Sequence, residues 1–236
     1  PISAIELLRL GLGLDSTEEG LPVLGVDADG PLGELLTGDA KLRLLRTPAS
    51  FEGSLRPYQR RGLAWLSFLE SCGLGACLAD DMGLGKTIQV LVLLAKERAG
   101  RKAKSRAGRP GPTLLICPLS VVGNWRSEAA RFVPGLDVYV HHGPDRLSGD
   151  ALTQRMAVAD LAITTFALAA RDHETLAEGH WHRVVVDEAQ AIKNMATKRS
   201  KAAMQLQGAF RMITTGTPIE NHLGELWSLF HFINPG

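Results

Sequence analysis

The chain has 236 residues, of which 45% are hydrophobic and 22% are charged, and its formal net charge is +1 at pH 7. This composition is typical of a soluble globular protein and argues against a disordered or membrane-spanning chain, since no apolar run approaches the thickness of a bilayer. Because the net charge is close to zero, any contact with nucleic acid must come from local basic patches or backbone amides.

The first 50 residues predict a short appendage to a larger domain. Residues 2–10 form an amphipathic stretch, turns rich in glycine and aspartate follow, and residues 41–51 predict an extended leader into the core. The chain begins with Pro1 and has no secretory leader, so we interpret it as part of a longer protein. We expect residues 1–50 to be partly the remnant of an upstream domain and residues 51–236 to form the core domain.

Residues 56–72, RPYQRRGLAWLSFLESC, predict a helix that packs on a sheet. Leu63, Leu66 and Leu69 recur at three-residue spacing and define one apolar side, with Trp65 nearby. The stretch also has a proline-containing entry, as helices often do.

From residue 75 onward, short apolar runs alternate with longer helix-like stretches. The runs are ACLA at 76, TLLIC at 113, DVYVH at 137, LAITT at 161, RVVVD at 183 and RMITT at 211. Several are apolar at consecutive positions, which is typical of strands in a parallel sheet covered on both faces. The sequence therefore predicts an α/β fold with a doubly wound parallel sheet.

Residues 96–112 are rich in lysine, arginine, glycine and proline and show no hydrophobic periodicity. They predict a mobile, solvated surface loop. As an alternative, the basic residues between 96 and 109 could follow DNA phosphates.

The three cysteines, Cys72, Cys77 and Cys117, are an odd number without a C-x-x-C spacing. This pattern argues against zinc binding or a disulfide framework and favours a reducing, intracellular location.

Residues 80–87, DDMGLGKT, lie between a predicted strand and an apolar helix, which is the context of a phosphate-binding loop. Gly83 and Gly85 allow the backbone to curl so that its N–H groups point inward. Lys86 would hold the β- and γ-phosphates, and Thr87 would place its hydroxyl on Mg²⁺. A glycine-rich helix start that binds nothing is the alternative.

The second chemical motif is RVVVDEAQ at 183–190, where two acids follow directly on an apolar strand. Asp187 fits the carboxylate associated with Mg²⁺, and Glu188 fits the group that orients or deprotonates the attacking water. An acidic turn without function is the alternative, but the two motifs together predict that Mg-ATP binds.

Seven segments carry a resemblance to a known family. LRPYQRRG, DDMGLGKT, CPLSVVGNW, ITTF, DEAQ, TTGTPIEN and ELWSLFHFINPG occur in the order and approximate spacing of the Swi/Snf-type ATPases, the duplex-DNA translocases of helicase superfamily two. The resemblance covers residues 55–236 and implies a RecA-like lobe of the P-loop NTPase class. The family's loop commonly reads D-E-M-G-L-G-K-T, so Asp80 in place of the usual first glycine fits the family, and Asp81 is a mild departure.

The resemblance implies further nucleotide-site residues. Gln59 resembles the glutamine that recognises the adenine edge, with Arg56 in the same pocket; an exposed polar residue early in a helix is the alternative for Gln59. Gln190 is similar to a residue that links the nucleotide site to the far edge of the sheet, where many relatives have histidine. The phosphate-loop part of the implied nucleotide site is Asp81, Met82, Gly83, Leu84, Gly85, Lys86 and Thr87.

Contacts to DNA are also implied by the resemblance. Ser120 and Thr165 would offer hydroxyl or backbone N–H groups to phosphates without reading bases, although both could equally be helix caps. Thr215 and Gly216, with Thr217, match the motif that communicates hydrolysis to the DNA; a simple strand-ending turn is the alternative.

Trp125 and the histidines are assigned no chemistry. Trp125 is expected to be a packed core aromatic rather than a base-stacking platform. His141 with His142, and His180 with His182, lack a third ligand at metal spacing, so we expect surface or loop histidines and no structural metal.

The resemblance implies the first lobe of a motor that uses ATP to move along double-stranded DNA without separating the strands. A second lobe, which would supply arginine fingers, is not found in the sequence, so the isolated chain should be nearly inactive. We expect a bacterial, nucleoid-associated protein in the cytoplasm that acts on RNA polymerase or another DNA-bound complex. The alternatives are an ATP-gated interaction module without sustained translocation and a strand-separating helicase.

Overall fold

The computed structural model describes residues 30–37, 42–100, 111–219 and 223–235. Within these ranges, six strands form one sheet in which every neighbouring pair is parallel, in the order β1-β6-β5-β2-β4-β3. The strands are β1 (Ala76–Leu78), β2 (Thr113–Cys117), β3 (Val138–His141), β4 (Leu161–Thr165), β5 (Trp181–Asp187) and β6 (Gly208–Thr214). All six predicted strands are confirmed.

Helices cover both faces of the sheet. They are α1 (Gly30–Thr37), α2 (Pro57–Ser71), α3 (Lys86–Gly100), α4 (Leu119–Phe132), α5 (Gly149–Val158), α6 (Phe166–Arg171), α7 (His173–Ala177), α8 (Lys198–Gln205) and α9 (Leu223–Ile233), with a 3₁₀ helix at Ala189–Ile192. Helices α2, α3 and α4 contribute to the apolar core on one face, and helices α5 to α9 contribute to the core on the other. The doubly wound α/β architecture is therefore confirmed.

Strand β2 shows why these runs are apolar at every position. Its alternate residues point to opposite faces, so Leu115 and Cys117 join one core while Leu114 and Ile116 join the other. Since both faces are covered, all five residues of the strand are buried.

Helix α2 begins at Pro57, a favourable first position because its missing N–H needs no partner there. The side-chain oxygen of Gln59 accepts a hydrogen bond of 2.9 Å from the backbone N–H of Arg56 and completes the helix start. Leu63 and Leu66 are fully buried, as the predicted apolar side requires.

Two expectations for irregular structure are wrong in part. Helix α1 lies in a stretch predicted to form glycine-rich turns, and it is held because Leu32 and Leu35 pack against the core. Helix α3 extends to Gly100 and includes the start of the predicted loop, since Arg98 pairs with Asp160 at 2.9 Å. The remaining loop residues 101–110 and the amphipathic stretch 2–10 lie outside the described residues.

Within the described ranges, no helix combines the length and apolarity needed to cross a bilayer. Because all the strands are parallel, their carboxyl ends meet at one edge of the sheet. The loop after β1 and the segments after β5 and β6 share that edge, which is where ligands bind in open α/β sheets.

Candidate nucleotide-binding site

The loop between β1 and α3 has the backbone of a phosphate-binding loop. Gly83 and Gly85 adopt φ values of 79° and 80°, a left-handed conformation that is strained for residues with a Cβ atom. Helix α3 starts directly afterwards at Lys86. A Cβ atom on Gly85 would lie only 2.6 Å from the side-chain nitrogen of Gln59. The predicted strand, loop and helix are therefore present; the left-handed conformation favours glycine at residue 85, and a side chain there would also displace the amide of Gln59.

Lys86 is buried, and its ammonium group donates to the carbonyl oxygens of Asp80 at 2.7 Å and Asp81 at 3.2 Å. These bonds hold the charge inside the curl of the loop. Phosphate oxygens carry negative charge and form stronger bonds with an ammonium group than neutral carbonyls do. The lysine is thus placed where it can exchange carbonyl partners for a phosphate.

Asp80, at the position of the usual first glycine, turns its side chain into the protein. Its Oδ2 accepts a hydrogen bond of 2.7 Å from the side-chain amide of Gln89, a fully buried residue of α3. The acid therefore braces the entrance of the loop against the helix that follows it. The sequence assigned no role to Gln89, because only the fold brings it beside Asp80.

The start of α2 holds the same loop from the other side. The side-chain nitrogen of Gln59 and the hydroxyl of Tyr58 both donate to the carbonyl oxygen of Leu84, each at 3.0 Å. Gln59 is 6% exposed, so the alternative that it is an exposed polar residue is wrong. Arg56 is exposed at the start of α2. Adenine recognition by Gln59 and Arg56 stays a prediction.

Asp187, the last residue of β5, is buried and has both carboxylate oxygens hydrogen-bonded. Its Oδ1 accepts from the hydroxyl of Thr214 and, at 3.0 Å, from the backbone N–H of Glu188. Its Oδ2 accepts from the indole Nε1 of Trp125 at 2.7 Å. Trp125 is 1% exposed, so its expected place in the core is confirmed, while its bond to Asp187 was not anticipated.

Glu188 has φ 52° and ψ 57°, the one left-handed conformation found outside glycine in the described residues. Such a conformation costs on the order of 1 kcal/mol and is common at functional sites. The side chain of Glu188 accepts a hydrogen bond of 2.7 Å from the amide of Gln190. The turn and this bond together fix the carboxylate just beyond the strand end.

A chain of hydrogen bonds then joins β5 to β6. The hydroxyl of Thr215 donates to the side-chain oxygen of Gln190 at 3.3 Å and accepts from the backbone N–H of Thr217 at 3.1 Å. Thr215 therefore forms the local turn that was the alternative, and it also contacts the DEAQ segment. Gly216 lies against the phosphate loop, because an added Cβ would approach Cγ of Met82 to 2.9 Å and Nζ of Lys86 to 4.0 Å.

The structure thus brings together the phosphate loop, the DEAQ segment and the TTGTP segment at one edge of the sheet. A sequence model of the SNF2-related domain family matches residues 58–236. This chain belongs to the SNF2-related family.

Similar proteins come from several organisms. YwqA of Bacillus subtilis, a candidate ATP-dependent helicase/translocase, is 44% identical over 201 residues, which are 85% of this chain and 21% of YwqA. The TATA-binding protein-associated factor MOT1 of Saccharomyces cerevisiae is 35% identical over 99% of this chain and 13% of its own length. The chain therefore spans about a fifth or less of these relatives.

The solved SWI2/SNF2 ATPase core of Sulfolobus solfataricus in complex with dsDNA has a TM-score of 0.71 and 40% identity, covering 82% of this chain and 38% of that one. A second structure of the same core domain has a TM-score of 0.70 and 41% identity. The expected RecA-like fold is confirmed, and membership of this family of helicase-like ATPases implies nucleotide use.

The two residues expected at the DNA surface of this SNF2-related domain differ in their surroundings. Thr165 is buried, and its hydroxyl caps α6 by accepting from the backbone N–H of Leu168 at 3.3 Å. Ser120 is exposed in the first turn of α4, and the cap position there is occupied by Pro118. The cap interpretation therefore holds for Thr165 and not for Ser120, and contact of either residue with DNA stays a prediction.

Two expectations about the histidines are wrong. His141 is fully buried at the end of β3, with its Nε2 2.9 Å from Oδ2 of Asp172. His182 has neighbours at ligand distance, since its ring and the carboxylates of Glu70 and Glu97 come within 4.8 Å of one another. Buried Arg183 already pairs with both carboxylates, so a positive charge occupies the cluster without a metal ion.

All three cysteines are free. Burial raises the pKa of the Cys77 thiol to about 11, and burial together with the charge of Asp187 raises that of Cys117 to about 12. Both side chains therefore behave as apolar core residues at neutral pH.

Proposed function

We propose that this chain is the first ATP-binding lobe of a motor that moves along double-stranded DNA and remodels DNA-bound proteins without separating the strands. The observation that carries the proposal is the hydrogen-bonded path from Glu188 through Gln190 to Thr215. This path joins Glu188, the acid expected beside the phosphate that is hydrolysed, to the TTGTP segment, which is expected to couple hydrolysis to DNA binding. The solved SWI2/SNF2 core bound to dsDNA supports the choice of a duplex.

The side chains at the site suit Mg-ATP. Lys86 would bind the β- and γ-phosphates, together with backbone N–H groups of residues 81–87 at the start of α3. Thr87 and Asp187 would hold Mg²⁺, since hydroxyl and carboxylate oxygens are the ligands this ion prefers. The ion, when bound, would neutralise charge on the phosphates. Gln59 and Arg56 would border the adenine.

Glu188 would orient or deprotonate the attacking water. Its strained backbone places the carboxylate beyond the strand, and the bond from Gln190 restricts its rotation. A fixed base loses less conformational freedom in the transition state than a mobile one. A movement of Thr215 would displace Gln190 and, through it, the carboxylate of Glu188. DNA binding would thereby change the position of the base beside the nucleotide.

DNA would be held by its phosphates alone. The exposed hydroxyl of Ser120 is available for such a contact, whereas Thr165 would use its backbone because its hydroxyl caps α6. Thr215 and Gly216 would transmit the contact to the nucleotide. RNA polymerase or another DNA-bound complex in a bacterial cytoplasm would be the target; the DEAQ sequence and the similarity to a Bacillus protein support a bacterial origin.

A second RecA-like lobe would complete the site. The chain covers 38% of the solved SWI2/SNF2 core, and the rest of such a core would supply arginine fingers. Because these groups contribute about 10³ to 10⁵ in rate, the chain alone should bind Mg-ATP weakly and hydrolyse it very slowly.

The test measures ATP hydrolysis by the 236-residue chain and by the natural protein that contains it, without DNA, with single-stranded DNA and with duplex DNA. We expect stimulation by the duplex only, in the natural protein only, and its loss in Lys86→Ala. Lys198→Ala, which changes an exposed lysine of α8, is the matched control. Intact nucleotide binding without stimulation by either DNA would overturn the motor and favour an ATP-gated interaction module.

A further inference from the structure

Trp125 is more than a core aromatic. It is among the largest fully buried side chains, and its indole N–H donates to Oδ2 of Asp187 at 2.7 Å. Phenylalanine would fill most of this apolar space, so packing alone does not require the indole N–H. The polar atom of Trp125 meets the carboxylate assigned to the metal ion.

The hydrogen bonds around Asp187 restrict what its carboxylate can still bind. A carboxylate has about four lone-pair sites. On Oδ1, the hydroxyl of Thr214 and the backbone N–H of Glu188 each occupy one. On Oδ2, Trp125 occupies another. Among the described contacts, a single acceptor site on Oδ2 is therefore left for a further ligand.

We propose that Trp125 is a positioning residue for the metal site, which fixes the rotation of the Asp187 carboxylate so that one Oδ2 lone pair is kept for Mg²⁺. The proposal rests on the proposed function, because it takes Asp187 as a holder of the ion. Residues that orient a metal-holding side chain typically change metal affinity 10- to 100-fold when they are altered. Trp125 also ties α4, the helix of Ser120, to the carboxylate that would hold the ion.

Trp181 offers a matched comparison. It is a second buried tryptophan, and its indole N–H donates at 2.7 Å to the carbonyl oxygen of Leu176, on the other face of the sheet. Trp125→Phe and Trp181→Phe therefore remove the same donor group from two buried sites. Only the first of these sites adjoins Asp187.

The first experiment titrates Mg²⁺ into the 236-residue chain with a fluorescent ATP analogue, and repeats nucleotide binding in EDTA. We expect Trp125→Phe to weaken Mg²⁺ binding about 10-fold and to leave nucleotide affinity in EDTA within about twofold of the wild type. Trp181→Phe should change neither value. Unchanged Mg²⁺ affinity in Trp125→Phe, or equal losses with and without Mg²⁺, would overturn the proposal.

A second measurement does not depend on the folding of Trp125→Phe. The chain has four tryptophans, so the indole N–H resonance of Trp125 can be assigned by elimination with Phe variants of Trp65, Trp181 and Trp227. Adding Mg²⁺ to the nucleotide-bound wild type should shift the Trp125 resonance most. If Mg²⁺ binds and this resonance does not move, the inference is wrong; if the wild type binds no Mg-nucleotide, the proposed function itself fails.

Discussion

The carboxylate of Asp80 is held by the side-chain amide of Gln89 at 2.7 Å, across the entrance of the phosphate loop. An acid at a position where other phosphate loops have glycine therefore acts as a structural brace. The loop curls at Gly83 and Gly85, and its first residue is free to bond to α3.

Removal of this brace should destabilise the protein. Asp80→Ala leaves the buried amide of Gln89 without its partner, and such a group costs about 1–3 kcal/mol. The double variant Asp80→Ala/Gln89→Leu should recover part of the loss, because no buried donor remains. Urea unfolding of the two variants, with exposed Asp145→Ala as control, measures this. A double variant less stable than Asp80→Ala would contradict the brace.

The two loop glycines should respond differently to alanine. Gly83→Ala meets no atom within 4 Å and should cost only the left-handed backbone strain, roughly 1–2 kcal/mol. Gly85→Ala has the same strain and also places a Cβ 2.6 Å from the side chain of Gln59. We expect Gly85→Ala to weaken nucleotide binding more, as measured by titration with a fluorescent ATP analogue. Equal losses would show that the contact with Gln59 is irrelevant.

Gln190 should control hydrolysis more than binding. Its amide holds Glu188 and its oxygen accepts from Thr215, and neither contact touches the phosphate loop. Because the bond between Gln190 and Glu188 is exposed to water, its loss should cost about 0.5–1.5 kcal/mol, roughly 2- to 10-fold in rate. Gln190→Ala should lower duplex-stimulated hydrolysis by the natural protein by about that factor, with nucleotide affinity unchanged. A parallel loss of affinity would argue against the relay.

Replacement of Arg183 should lower the free energy of unfolding strongly. It is fully buried and pairs with Glu70 at 2.8 Å and with Glu97. Breaking a fully buried pair from one side costs about 3–5 kcal/mol. Because Glu70 and Glu97 are partly exposed, Arg183→Met should show a loss near the lower end of this range at pH 7 in urea unfolding. Arg155→Met is the control, because its bond to Asp137 is partly exposed and should be worth at most about 1 kcal/mol.

The cost of Arg183→Met should depend on pH. Burial alone raises the pKa of Glu70, but the hydrogen bond from His182 and the charge of Arg183 outweigh it, so the pKa of Glu70 lies below its ordinary value. The ionised carboxylate of Glu70 therefore stabilises the wild type at pH values above the pKa that Glu70 has in the unfolded chain. This stabilisation is lost as the pH falls through the pKa that Glu70 has in the folded protein. In the variant, Glu70 has lost the guanidinium and keeps only His182, and protonation in acid removes the carboxylate charge that Arg183 no longer balances. The difference between the two proteins should be smaller at about pH 4 than at pH 7.

The thiols of buried Cys117 and half-buried Cys77 should be unreactive in the folded protein. The pKa of Cys117 is raised to about 12 and that of Cys77 to about 11, so almost no thiolate is present at about pH 8. Alkylation with iodoacetamide should therefore be slow for Cys117 and Cys77 in native protein, and all three cysteines should react in urea. Rapid native labelling of Cys117 would show that β2 opens readily.

The strands and the first chemical motifs were predictable because their signals are local. Consecutive apolar runs indicate strands covered on both faces, and the spacing of Gly83, Gly85, Lys86 and Thr87 is short enough to define a loop by itself. Local signals also mislead, as at α1, where glycine and proline hid the packing of Leu32 and Leu35.

The contacts of the site were decided by tertiary structure. The bonds Trp125–Asp187, Gln89–Asp80 and Gln190–Thr215 join residues 62, 9 and 25 positions apart. Sequence determined which donors and acceptors the chain carries and the order of its strands and helices. Only the parallel sheet, which brings the ends of β1, β5 and β6 to one edge, decided which of these groups meet, because hydrogen bonding requires atoms about 3 Å apart and sequence spacing does not encode that distance.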